Sequence, residues 1–215
     1  METININLFT FDELSTEAKQ TALNNYIAKE DFYYIWSEAK NSVKAFNELF
    51  NLRSGRNSWL EYDHNFDDNI TELKGLRLRK YLINNFGYAL YKGKYRKMID
   101  GHKTIKCFSP KYWQTNEGKK HTFLYSKLFS EHTYVLTGVC YDENILDPIY
   151  NFIDNYKENA NNYQYTNIID LLDNCFESLK KAIENEIEYL QSEEAYSEHC
   201  EANEYKFLSN GQIWG

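Results

Sequence analysis

The chain has 215 residues, 42% of them hydrophobic, and carries 24 Lys and Arg against 32 Asp and Glu, a net charge of −8 at pH 7. This is a globular composition that excludes a wholly disordered chain; with two prolines, nine glycines and no Ser/Gly/Pro-rich linker, residues 1–215 read as one domain. No apolar run approaches the roughly eighteen residues of a membrane span, the stretch METININLFTFDEL lacks the basic and apolar parts of a signal peptide, and a cytoplasmic location is expected.

In chain order, Ser15 before Thr16-Glu17-Ala18 reads as an N-cap, with a helix running to about Lys29. Phe32, Trp36, Ala39, Val43, Phe46 and Phe50 then recur at steps of four and three, the buried stripe of a second helix. Arg53-Ser-Gly-Arg-Asn57 ends it. Leu60, Tyr62, His64 and Phe66 alternate on one face, predicting a strand over 59–66 in which His64 is a hydrogen-bonded core histidine.

The stretch Glu61–Lys74, EYDHNFDDNITELK, has the look of a calcium loop but fails as one. The last coordinating position falls on Lys74, an ammonium, and the sharp turn falls on Asp68 instead of glycine. The residues read better as a helix entrance, Asn69 and Glu72 forming a capping box with Asp67 and Asp68 near the positive helix end. A basic amphipathic helix follows from Ile70 to Phe86, with Leu73, Leu76, Ile83 and Phe86 inward and Gly87 at its C-terminal cap.

Residues 88–138 are strand-like, most clearly 104–108 and 122–128. Asp142–Tyr156 reads as helical, restarted at Pro148, and a long helix from about Thr166 to Cys200 carries Ile168, Leu172, Cys175, Leu179, Ile187 and Leu190. Tyr205–Leu208, Asn210-Gly211 and Ile213-Trp214 predict a terminal hairpin with a type I′ turn. The sum is an α+β domain, several long helices packed on a modest antiparallel sheet.

Charge is divided along the chain. Residues 74–127 hold fourteen Lys or Arg and two acids, residues 1–73 six basic and thirteen acidic side chains, and residues 128–215 four and seventeen. The outline is thus an acidic helical 1–73, a basic helix and strands over 74–138, and an acidic helical 139–203 with the hairpin at 204–214.

Catalytic motifs are missing: there is no GxSxG, Walker loop, GxGxxG, HExxH or deaminase signature, and His64, His102, His121, His132 and His199 are scattered singly. Cys107, Cys140, Cys175 and Cys200 form no CxxC pair, so no zinc knuckle or disulfide framework is expected, nor any metal or cofactor. The adjacent His199-Cys200 reads as a helix end. The chain is accordingly expected not to be an enzyme.

Two surfaces remain as binding candidates. Lys92, Lys94, Arg96 and Lys97 interleave with Tyr95, followed by Lys111, Trp113, Lys119 and Lys120, the combination of cations and rings that holds nucleic acid; the same lobe could instead contact the chain's own acidic ends or the acidic surface of a second copy. The carboxylates of Glu184, Glu188, Glu193, Glu194 and Glu198 form an acidic helical surface that is either a solvated face or an imitation of phosphate offered to a basic groove.

Leu8–Ala22 (LFTFDELSTEAKQTA), Leu73–Leu82 (LKGLRLRKYL), Leu136–Tyr150 (LTGVCYDENILDPIY) and the segments Ser192–Tyr196 and Glu201–Phe207 resemble a family of small bacteriophage and prophage proteins, some labelled antitoxins, over nearly the whole chain. The resemblance carries no functional residues with it. It implies a phage accessory protein made in the bacterial cytoplasm that acts by stoichiometric binding. The expected function is an anti-defence, anti-CRISPR-like inhibitor whose partner is a nucleic-acid-handling host defence effector, a protein or ribonucleoprotein. The alternatives are a nucleic-acid-binding accessory protein using 74–127 and an antitoxin neutralising a partner toxin.

Overall fold

The computed structural model describes residues 6–90 and 135–214. Among these, the elements in order are α1 (Thr16–Ile27), α2 (Tyr33–Phe50), β1 (Arg53–Ser54), β2 (Tyr62–Asp63), α3 (Asp68–Thr71), α4 (Gly75–Leu90), α5 (Tyr141–Asp154), α6 (Ala160–Tyr163), α7 (Ile168–Leu190) and α8 (Glu193–Ala202). The described chain is therefore mainly helical, with β1 and β2 forming a two-stranded antiparallel sheet in which Arg53 faces Asp63 and Ser54 faces Tyr62. The expected strands at 104–108 and 122–128 lie outside the described residues. The chain divides into two compact units, one of residues 1–35 and 183–215, the other of residues 36–182.

In the larger unit the apolar stripes do the assembling. Ala39, Val43, Phe46 and Phe50 of α2 are buried, as are Leu78, Leu82 and Leu90 of α4, Ile145, Leu146, Ile149, Phe152 and Ile153 of α5, and Ile168, Leu172, Cys175 and Leu179 of α7. Phe46 meets Phe176 edge-on at 5.7 Å and Phe50 meets Phe86 at 4.6 Å. Each such aliphatic or aromatic side chain contributes about 1.5–3 kcal/mol by leaving water.

Among the described residues, buried polar groups of this unit pair with one another, except Asn47 Oδ1, which is buried without a hydrogen-bond partner. Asp142, fully buried in the first turn of α5, accepts the backbone N–H groups of Leu136, Thr137 and Gly138 on Oδ2 at 3.0, 2.6 and 2.9 Å. Its Oδ1 accepts the hydroxyls of Ser42 at 2.7 Å and Thr137 at 2.8 Å. Gly138 has φ +95, a left-handed turn that aims consecutive N–H groups at one carboxylate. Arg79 donates Nε to the carbonyl of Ile153 at 2.7 Å, and Tyr62 donates its hydroxyl to Asp173 at 2.7 Å while stacking on Phe176 at 4.9 Å.

Several elements differ from the expectation. Trp36 is 39% exposed, and its ring meets Trp59 edge-on at 6.2 Å; the fully buried Ile35 was not part of the expected stripe. The strand over 59–66 contracts to Tyr62–Asp63, because β1 offers only two partners, and His64 is exposed and stacked on Phe66 instead of lying in a core. The capping box at Asn69 does not form: the one-turn α3 starts after Asp67, and α4 starts only at Gly75. Gly75 has φ +54, and a Cβ there would meet the Gln164 carbonyl oxygen at 2.8 Å, so the chain turns at that point. The buried side of α4 is Leu78, Leu82, Ile83 and Leu90, with Leu76 48% exposed, and the helix continues past Gly87, which is no cap. Pro148 lies within α5 and does not restart it, since buried residues on both sides outweigh the lost backbone bond. The expected long helix to Cys200 breaks at Gln191–Ser192, where the Ser192 hydroxyl accepts the Ala195 N–H at 3.2 Å and caps α8.

Candidate interaction surface

The smaller unit is built from both ends of the chain. Ser15 caps α1 as expected, accepting the Ala18 N–H at 3.3 Å. Ala18, Ala22 and Leu23 then turn inward to meet Phe11, Leu14, Tyr196, Cys200 and Phe207 in one core. Phe11 contacts Tyr196 edge-on at 5.0 Å, and Tyr26 stacks on Tyr196 at 4.7 Å. Burial pushes the Tyr196 phenol and the Cys200 thiol above their ordinary values, so the thiol stays protonated and is a poor nucleophile. His199 lies in the last turn of α8, as read from the sequence, with its Nδ1 3.4 Å from Asn203 Nδ2.

Three extended segments complete this unit. Phe9 and Phe207 form an antiparallel pair, and Phe207 pairs on its other side with Ile213. The hairpin was foreseen, but its turn was not: Gly211 has φ +84 whereas Asn210 is absent from the left-handed region, so type I′ is ruled out. Leu208 accepts the Gly211 N–H at 2.9 Å and donates to the Gln212 carbonyl at 2.8 Å, the pattern of a three-residue loop closed by a left-handed glycine. A Cβ on Gly211 would sit 2.2 Å from the Ala18 carbonyl oxygen, which explains why the position is glycine.

Around its apolar core the unit exposes carboxylates together with a few large apolar side chains, Leu8, Ile213 and Trp214 among them. Its described residues hold thirteen Asp and Glu against Lys19, Lys29 and Lys206. Glu184, Glu188, Glu193, Glu194 and Glu198, the acidic surface read from the sequence, are all exposed and all belong to this unit. Glu184 and Glu188, like Glu194 and Glu198, are four residues apart on one helix, a like-charge spacing that costs a few tenths of a kcal/mol per pair. Local compensation is slight: Lys19 Nζ is 3.5 Å from Glu193 and 3.9 Å from Asp12, and Tyr189 donates its hydroxyl to Glu198 at 3.2 Å.

A cleft of about 380 Å³ opens in the same unit, lined by Thr10, Phe11, Asp12, Ser197, Cys200, Glu201, Glu204, Tyr205 and Lys206. Asp12 accepts the Ser197 hydroxyl at 3.0 Å, and Glu13 beside it is held below the usual carboxylate range by the Thr10 backbone N–H. Sequence reading missed this cleft, since its lining comes from positions more than 180 residues apart. The only signal was that Phe11-Asp12 and Glu201–Lys206 both lie in the segments that carry the resemblance.

The basic candidates Lys92, Lys94, Tyr95, Arg96, Lys97, Lys111, Trp113, Lys119 and Lys120 lie outside the described residues. Of the cations in 74–90, Arg79 is buried and engaged with the Ile153 carbonyl, so it is not part of a phosphate-binding face. Among the described residues no three His, Cys, Asp or Glu group to hold a metal, and no helix is long and apolar enough to cross a membrane. No family model, curated protein or solved structure matches the chain.

Proposed function

We propose that this chain is a stoichiometric anti-defence inhibitor, phage-encoded and anti-CRISPR-like, that binds a bacterial nucleic-acid-handling effector in the host cytoplasm and blocks it without catalysis. The observation that carries this reading is the gathering of both acidic chain ends into one unit whose described residues hold thirteen acids and three lysines. Proteins that hold nucleic acid line their grooves with Lys and Arg that neutralise phosphates. A dense array of carboxylates competes for those cations and is drawn to them over a distance.

Spacing favours the competition. Residues four apart on one face of a helix are about 6 Å apart, a spacing of the same order as that of successive charges along a DNA strand. Glu184 with Glu188 and Glu194 with Glu198 have that spacing. The phage origin rests on the resemblance of the four segments named above.

Expression in cells carrying nuclease-type defence systems, with phage plaquing as the readout, tests the proposal. Restored plaquing against one such system, with the effector retained on the tagged protein, is the expected result. Unchanged plaquing across these systems, with no effector retained, would remove the proposal.

A further inference from the structure

The cleft does not stand alone. In the antiparallel pairing of Phe9 with Phe207 and of Phe207 with Ile213, paired residues share a face and neighbours alternate. Phe207 is fully buried, so its face looks into the core. The opposite face then carries one row of Thr10, Lys206 and Trp214 and a second row of Leu8, Leu208 and Gln212. Backbone bonds fix this register: Trp214 donates to the Lys206 carbonyl at 2.7 Å and Leu208 to that of Gln212 at 2.8 Å. On the outward face Leu8 is 40% and Trp214 48% exposed, while at the edge of the sheet Ile213, the partner of Phe207, is 48% exposed as well.

Thr10 and Lys206 belong both to this outward face and to the cleft lining. This partly apolar patch, with Leu8, Leu208 and Trp214 beside Thr10, Lys206 and Gln212, and a carboxylate-lined recess are thus continuous, and they differ in what they would accept. The recess offers Asp12, Glu201 and Glu204 against one lysine, with the rings of Phe11 and Tyr205 beside them. Planar, delocalised cations favour such a setting, because guanidinium both forks onto carboxylates and stacks on rings. A neighbouring cation already uses the same chemistry: Lys19 Nζ lies 5.3 Å from the centre of the Phe11 ring and 3.9 Å from Asp12.

Resting on the inhibitor reading, we propose that this surface docks an arginine-bearing segment of a basic protein partner. The guanidinium enters the recess between Glu201, Glu204 and Asp12, and apolar residues beside it pack on Leu8 and Trp214. Charge selects the occupant. A second copy of this acidic unit would bring like charges together, whereas a lysine- and arginine-rich partner complements both the recess and the carboxylates around it.

The test uses the full chain and a short fluorescein-labelled peptide with a central arginine flanked by leucines and terminal lysines, followed by fluorescence polarisation at low salt. Saturable binding is expected. Replacing the arginine by neutral citrulline, or using the exposed-residue variant Glu201→Gln/Glu204→Gln, should weaken it about tenfold, as loss of charge-assisted bonds does. Trp214→Ala should weaken it severalfold while leaving the circular dichroism and melting transition unchanged. No binding, equal affinity for the citrulline peptide, or indifference to both variants would overturn the proposal. Displacement by equimolar spermidine would assign the recess to free amines, and self-association abolished by Trp214→Ala would assign the patch to a second copy; either also overturns it. The peptide assay reports on the recess alone, whereas failure of the inhibitor reading appears as unchanged plaquing by the wild type even where the peptide binds.

Discussion

Phe9 and Phe207 exchange backbone hydrogen bonds in both directions, at 2.9 and 2.8 Å, and so tie together two segments at opposite ends of the chain. Through this pair the acidic first and last segments become one surface. Phe207 is also fully buried against Phe11, with ring centres 6.0 Å apart. Phe207→Ala should cost about 3–5 kcal/mol, the usual range for a buried aromatic, in urea denaturation followed by tyrosine fluorescence. A loss below about 1 kcal/mol would mean that the pair does not hold the unit together.

Gly211 closes the terminal loop in a left-handed conformation with the Ala18 carbonyl against it. Gly211→Ala should therefore destabilise by more than the roughly 1 kcal/mol that glycine replacement changes at compatible sites. Asn210→Ala, in ordinary backbone space, should have a much smaller effect. Equal melting temperatures for the two variants would contradict this account of the turn.

In the larger unit, Asp142 receives three backbone and two hydroxyl hydrogen bonds in a fully buried position. Asp142→Ala leaves those donors unsatisfied and should cost about 3–5 kcal/mol, while Ser42→Ala, which removes a single donor, should cost about 1–3 kcal/mol. Chemical denaturation of the two variants measures both. A smaller loss for Asp142→Ala than for Ser42→Ala would reverse the assignment of the carboxylate as the centre of the network.

Alkali should reveal the buried phenols. Desolvation first, and for Tyr62 also the hydrogen bond to Asp173, push the hydroxyls of Tyr62, Tyr150 and Tyr196 above their ordinary value of 10.0. Above about pH 10 the unfolded chain releases these protons and the folded chain keeps them, so unfolding gains free energy. Titration of these groups should leave stability unchanged with pH below that value, and stability should fall as pH rises above it. Tyr62→Phe should make the fall shallower; an unchanged slope would show that Tyr62 ionises freely in the folded state.

Local signals were legible where one residue decides local geometry. Ser15 capped α1 as read, and the spacing of Ala39, Val43, Phe46 and Phe50 placed them in a core. What failed were extents. Helical periodicity continues through Gln191 and Ser192, so the break between α7 and α8 is invisible to hydrophobic spacing, although Ser192 followed by Glu193 and Glu194 is a cap signal. Conversely, Pro148 suggested a restart that the buried residues around it override.

The exposure of Glu184, Glu188, Glu193, Glu194 and Glu198 was legible because exposed helix faces depend on composition and spacing alone. The cleft was not, because Asp12 and Ser197 are 185 residues apart and meet only after Phe9 pairs with Phe207. Each half reads as an ordinary amphipathic segment; only their meeting makes a recess.

The central claim is that the carboxylate surface of the smaller unit blocks a basic effector. Its most direct test compares plaquing efficiency, on a host carrying a nuclease-type defence, between the wild-type chain and the variant Glu184→Gln, Glu188→Gln, Glu193→Gln, Glu194→Gln, Glu198→Gln. These side chains are exposed, so the variant should fold and melt as the wild type does. The account expects wild-type expression to restore plaquing and the neutralised variant to lose at least about tenfold of that restoration, as removal of steering and pairing charges implies. Equal protection of the phage by both chains would contradict it.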